Sequence, residues 1–214
     1  MDRLRPESDP VSIERRSFAI IDAEAGEPKP FSGRCWEVAR RLVHTTADFS
    51  ILETLVVSEE AVSAGVAALR ASRPVFTDTK MALAGIPKRR LEPLGVTATC
   101  LLSLPGVSER AKKHGTTLSR AAVELAGDSL EGAILAVGNA PTTLIALITH
   151  LRAGGRPPAL VIGMPVGFVN AAESKELLLE EKTLPSIVLR GRRGGSPLAA
   201  ATVNALAEIA LRGE

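Results

Sequence analysis

Ala133-Ile134-Leu135-Ala136-Val137-Gly138-Asn139-Ala140-Pro141-Thr142 runs five apolar residues straight into a glycine, an asparagine and a proline. So short and continuous an apolar run reads as a strand buried on both faces, because a half-exposed strand would alternate apolar with polar residues. Gly138 ends it, and Pro141 suits the first turn of a helix, where a backbone N–H has no partner to lose. The pattern beyond Pro141 predicts a helix over 141–152. Strand, tight loop and helix in succession are the unit of an α/β fold.

The unit recurs. Pro74–Thr77, Thr97–Leu102, Ala159–Ile162 and Ile187–Leu189 are further short apolar runs, and helix-like segments at 107–126, 170–181 and 197–212 separate or succeed them, the first with a break near Gly115. Parallel strands joined through helices cross over right-handed, which gives an open doubly wound sheet of five strands. Upstream the period is helical. Ile13, Phe18, Ile20 and Ile21 mark a first helix from Val11, which Gly26 to Gly33, with Pro28 and Pro30, breaks. Trp36, Val38, Ala39, Leu42 and Val43 form the apolar face of a second, from Cys35 to about Thr46. Asp48 is placed to cap the next segment, and Ser58 to cap a helix through Ala61, Val62, Val66 and Leu69 to Arg70. Three helices thus precede the first strand. Residues 1–10, charged and carrying Pro6 and Pro10, read as irregular. The 214 residues are expected to form one domain, helical over 1–72 and doubly wound over 73–214.

Composition excludes several functions. A net charge of +2 compels no nucleic-acid partner, and with no tyrosine and 3% aromatics the chain lacks the usual platforms for stacking bases. Cys35 and Cys100 fit no metal spacing, and Cys100 reads as a small buried side chain. No signal peptide is evident and no apolar run approaches the ~20 residues of a membrane span, so a cytoplasmic location is expected.

Four of the strands open into distinctive loops: Thr77-Asp78-Thr79-Lys80-Met81, Gly138–Thr142, Gly163-Met164-Pro165-Val166-Gly167-Phe168 and Gly191-Arg192-Arg193-Gly194-Gly195-Ser196. In open α/β sheets ligands bind outside the carboxyl ends of the strands, where all four lie. Glycines let backbone amides approach a ligand, helix N-termini add partial positive charge, and Arg192 and Arg193 supply guanidinium donors. An anionic ligand is favoured over the alternative of plain tight turns with solvated arginines. No Gly-x-x-x-x-Gly-Lys-Ser/Thr, Gly-x-Gly-x-x-Gly or Gly-x-Ser-x-Gly pattern is present. His114 and His150 are not at ligand spacing with His44, so no zinc site is expected. Asp78 and Glu173 are candidate acid and base, although loop carboxylates are usually solvated or capping. Val43-His44-Thr45-Thr46-Ala47-Asp48-Phe49 sets a histidine, whose ordinary pKa of about 6.5 suits proton transfer near neutrality, among hydroxyls and a carboxylate. A lone histidine at a helix end is ordinarily a satisfied polar residue; the four loops shift the weight toward chemistry.

These segments resemble the precorrin-8X methylmutase family of cobalamin biosynthesis. The likeness rests on Glu14-Arg15-Arg16-Ser17-Phe18, Val43–Phe49, Thr77–Ile86, Gly138–Thr142, the long run Pro165–Glu176, Gly191–Ser196 and Ala199–Leu206, in collinear order from about Ile13 to about Leu211. The resemblance implies a flavodoxin-like three-layer α/β/α fold, with a five-stranded parallel sheet and N-terminal helices, in a homodimer whose site lies near the interface. It implies an isomerase that moves a methyl group from C-11 to C-12 of precorrin-8X or cobalt-precorrin-8, giving hydrogenobyrinic acid or its cobalt form, with no cofactor and no bound metal. Such a substrate carries many carboxylate arms. His44 would give a proton or hydrogen bond to a ring nitrogen. Arg15, Arg16, Ser17, Thr45, Thr77, Thr79, Met81, Ser119, Arg120, Asn139, Ala140, Thr142, Val166, Gly167, Arg192, Gly194 and Gly195 would bind the corrinoid. His44–Phe49 and Thr77–Arg89 stand slightly nearer the cobalt branch. One departure is Leu118, in Gly115-Thr116-Thr117-Leu118-Ser119-Arg120-Ala121-Ala122, where the family pattern has arginine. Either Arg120, Arg192 or Arg193 supplies the missing cation, or binding is weaker, or the chain has become a corrinoid binder without turnover.

Overall fold

The computed structural model describes residues 9–212; of the stretch read as irregular, residues 1–8 lie outside it. Asp9 caps the first helix, α1 (Pro10–Glu24), its carboxylate accepting from the N–H of Ser12 at 3.0 Å. α2 (Gly33–Thr46) comes next, ending on Ala47 in the left-handed region at φ 51°. Asp48 then caps a 3-10 turn, Phe49–Glu53, as expected of it. Ser58 likewise caps α3 (Glu59–Arg70), its hydroxyl accepting from Ala61 N–H at 3.2 Å.

Between that turn and α3 lies β1 (Leu55–Val56). The chain continues through β2 (Val75–Thr77), α4 (Lys80–Ala84), α5 (Lys88–Leu91), β3 (Ala98–Cys100), α6 (Val107–His114), α7 (Leu118–Ala126), β4 (Ile134–Val137), α8 (Pro141–Arg152), β5 (Leu160–Gly163), α9 (Ala171–Glu180), β6 (Ser186–Leu189) and α10 (Ser196–Leu211). The break between α6 and α7 falls at Gly115, which adopts φ 58°.

The sheet corrects the expectation of five parallel strands. It has six strands in the order β1-β6-β5-β4-β2-β3, and β1 runs antiparallel to β6, with Leu55 opposite Leu189. Two helices, not three, therefore precede the first strand. Two residues cannot display a strand period, so β1 was invisible to pattern reading; it forms because the 3-10 turn returns the chain alongside β6, where Arg190 N–H reaches Thr54 O at 2.9 Å. Pairing there also covers an otherwise open sheet edge. The short α4 and α5 were likewise not anticipated.

Alternation along the strands divides the core. Ile134 and Ala136 of β4 join a cluster with α2, α3 and α10, while Leu135 and Val137 join another with α7, α8 and α9. The central strands are buried at every position, as their apolar runs required. After β2 the chain passes through α4, on the α10 side, to β3; after β4 it passes through α8, on the opposite side, to β5. The exits of β2 and β4 thus diverge at a topological switch point, where a doubly wound sheet ordinarily takes its ligand.

Candidate ligand cleft at the carboxyl edge of the sheet

At this switch point the chain supplies its own anion. The Asp78 carboxylate accepts from the N–H groups of Gly138 at 2.9 Å, Asn139 at 2.8 Å and Ala140 at 2.8 Å. Asp78 is 2% exposed, so its reading as an exposed acid, base or solvated cap is corrected. Burial pushes its carboxyl above the ordinary range, against the pull of the three backbone donors. The amides at the start of α8 that a phosphate would seek are therefore occupied. Around them the loops pack hard. A Cβ on Gly138 would lie 2.6 Å from Ser196 Cα. Thr79 and Ser196 share a hydrogen bond between hydroxyls at 2.8 Å. Thr77 is fully buried and donates to Thr79 O at 3.0 Å, so its hydroxyl is committed inside the fold.

The loop after β6 is stitched to the loop after β5. Gly195 N–H donates to Met164 O at 2.8 Å, and Gly167 N–H to Arg192 O at 3.1 Å. A Cβ on Gly194 would meet Met164 O at 2.2 Å, so only glycine fits. From beneath, Lys175 Nζ donates to Gly191 O at 2.8 Å and Arg193 O at 2.6 Å. Burial lowers this lysine to about 8. Sequence reasoning assigned Lys175 no role, although a signal existed: Ala171, Ser174, Lys175 and Leu178 form an i, i+3, i+4, i+7 stripe, and all four are buried. The two arginines of the loop differ. Arg193 pairs with Asp48 and donates to Ser50 Oγ at 2.7 Å. Arg192 makes no ion pair among the described residues, and its guanidinium stands 5.4 Å from the centre of the exposed Phe168 ring.

The Asp48–Arg193 pair ties this loop to the segment carrying His44. His44 is half-buried in the last turn of α2, and Phe18 of α1 meets it edge-on with ring centroids 5.2 Å apart. The Phe18 ring also faces the guanidinium groups of Arg40 at 4.5 Å and Arg41 at 4.6 Å. Arg41 is held by Glu14 at 2.5 Å and Glu208 at 2.6 Å, and Glu208 also binds Arg90. Thr45 donates to Arg41 O at 2.9 Å within its own helix. Ser17 is half-buried beside Phe18, while Arg15 and Arg16 are on the exposed side of α1. At the sheet edge Asn139, Met81 and Val166 are exposed, and Ala140, Thr142 and Gly167 half-buried.

Ser119 and Arg120 are not brought to His44. They lie in the first turn of α7, on the other face of the sheet from α2. Arg120 bonds Glu124 at 3.0 Å, which also takes Arg110 at 3.0 Å. Of the three arginines weighed against Leu118, two are thus already paired and Arg192 is open.

Fold and sheet edge together define a class: an α/β protein whose switch point is closed to a nucleotide phosphate by the internal Asp78 carboxylate, and whose arginine loop after β6 is tied through Asp48 to the segment that carries a histidine. A profile of the family described as precorrin-8X methylmutase matches residues 12–209. The chain is 42% identical to the precorrin-8X methylmutase of a Sinorhizobium species, over 94% of this chain and 95% of that one. It is also 42% identical to the cobalt-precorrin-8 methylmutase of Salmonella typhimurium, over 92% and 94%. A solved precorrin-8X methyl mutase from Thermus thermophilus superposes with a TM-score of 0.87 at 43% identity, covering 94% of this chain and 98% of that one. The chain belongs to the precorrin-8X methylmutase family, a family of isomerases.

Proposed function

We propose that this chain moves a methyl group from C-11 to C-12 of precorrin-8X or its cobalt form. The observation that carries this reading is that the matched region, residues 12–209, holds His44 and every loop of the cleft. The shift is intramolecular: the C-11–methyl bond breaks, the C-12–methyl bond forms, and no atom is gained. Catalysis then rests on holding the macrocycle in a reactive electronic form. His44 supplies a proton or hydrogen bond to a ring nitrogen, and Phe18 orients its ring. Arg192 meets a carboxylate arm, with Ser17, Thr79, Asn139, Thr142 and the Gly194 amide around it, while the Gly195 N–H is held by Met164 O.

The wider reading rests on the same resemblance. The five parallel strands, ordered β3-β2-β4-β5-β6, fit a flavodoxin-like arrangement to which β1 is added, and the whole chain is read as one domain. A homodimer with the site near its interface is supported by the apolar side chains left exposed on α1 and on the Val166–Val169 loop. Among the described residues no helix is long and apolar enough to cross a membrane, which suits a cytoplasmic enzyme.

The chain is equally identical to a relative named for precorrin-8X and to one named for cobalt-precorrin-8, so experiment decides the substrate form. The test is anaerobic incubation with precorrin-8X and, separately, cobalt-precorrin-8, monitored by visible absorption. Methyl migration alters the conjugated system, so the spectrum should shift to that of the corrin product with one or both. Tight binding without a spectral shift would make the chain a corrinoid binder instead.

A further inference from the structure

Lys175 is fully buried, yet its ammonium serves two carbonyls of a single loop, Gly191 O and Arg193 O. The carbonyl between them, Arg192 O, is taken by Gly167 N–H. In a trans peptide the C=O and the N–H of the next residue point in opposite directions. Among the described residues only Glu27–Pro28 is cis. Drawing the Gly191 and Arg193 carbonyls down onto a buried ammonium therefore turns the N–H groups of Arg192 and Gly194 away from the interior, toward the open side of the loop. Neither N–H has an acceptor among the described residues. A cation behind the two peptides polarises them and strengthens the positive ends that face outward, and neighbouring N–H groups facing one way form an anion-binding concavity. The guanidinium of Arg192, free of any ion pair among the described residues, springs from the same turn. Burying an ammonium is costly unless it is well hydrogen-bonded, so an apolar residue on this stripe of α9 would serve packing alone better.

We propose that Lys175 is a positioning residue: it holds the Gly191–Gly194 loop so that the N–H groups of Arg192 and Gly194 receive one carboxylate of the substrate. The ligand class rests on the corrinoid reading above. Amide NMR of the full chain, titrated with hydrogenobyrinic acid, tests the geometry. The Arg192 and Gly194 amide resonances should move on saturation. In Lys175→Met the KM for precorrin-8X should rise about tenfold, the equivalent of about 1.4 kcal/mol, with kcat within a few-fold. Lys175→Arg, which keeps donors at the site, should recover part of the loss. Merely structural damage would lower the folded fraction and leave KM in place. Product binding that leaves both amides unmoved, or Lys175→Met with an unchanged KM, overturns the proposal while the corrinoid reading stands. Should Lys175→Met fail to fold, the wild-type titration decides alone. Failure of the wild-type chain to bind product at all would sink the corrinoid reading, and this carboxylate assignment with it.

Discussion

His44 is the side chain on which turnover should depend. It is half-buried and touches Phe18 through its ring edge, so truncation removes little packing. His44→Ala is expected to lower turnover by about 10²–10⁴-fold, the usual scale of general acid help, with product affinity and melting temperature nearly unchanged. Loss of folding would instead make the histidine structural. Leu118 is 49% exposed in the first turn of α7, so an arginine there costs little. Leu118→Arg should tighten product binding measured by titration if the start of α7 reaches the ligand; an unchanged affinity would mean that α7, on the other face of the sheet from His44, does not reach it and that Arg192 serves instead. Lys175 gives a pH signature of known sign. Its folded value of about 8 lies below the ordinary 10.5, so between these values the unfolded chain binds more protons. Stability therefore rises with pH across that window, while below about pH 8 the cost of burying the charge is fully present. The stability difference between wild type and Lys175→Met, from urea denaturation at pH 7 and pH 10, should shift toward wild type by at most on the order of 3 kcal/mol. No shift would mean that the lysine is not buried as a cation. These single residues were legible to different degrees. The histidine stood out by its rarity, but Asp78 looked like any loop carboxylate, because its three donors come from a strand exit sixty residues away.

Among elements, strands buried on both faces were readable because burial leaves a continuous apolar run, and caps were readable because Ser58 and Asp48 act on their own neighbours. β1 and the helices α4 and α5 are too short to carry a period and take their form from tertiary context. The same limit applies to the cleft: its loops could be placed at one edge of the sheet, but not the close approach between them. Gly138 shows how close that approach is. A Cβ there would lie 2.6 Å from Ser196 Cα and 3.0 Å from Gly195 C, both backbone atoms that cannot swing aside. Gly138→Ala must therefore push the exit of β4 away from the start of α10. Overpacking of this kind typically costs about 1–3 kcal/mol, and a lowered urea midpoint with an unchanged slope should report it. An unaltered midpoint would show that the two backbones have slack between them.

For the molecule as a whole the open matter is what covers α1. Among its described side chains only Ile21 is buried against the core, while Ile13 and Ile20, seven residues apart and so on one face, are 44% and 48% exposed. Single exposed apolar residues are ordinary, but an aligned pair on a helix that also carries Phe18 against His44 is the pattern expected of a surface packed by a second copy near the site. Sedimentation should then give twice the 22.5 kDa of one chain. Two aspartates at Ile13 and Ile20 would place like charges across a two-fold interface, where residues meet their symmetry mates or near neighbours. Ile13→Asp/Ile20→Asp should shift the mass to that of a monomer and lower methylmutase turnover, with the sheet core still folded by circular dichroism. A variant that stays dimeric would move the interface off α1, and the exposed Phe168–Val169 turn would be the next surface to charge. A monomer with full activity would separate assembly from catalysis and confine the site to residues of a single chain.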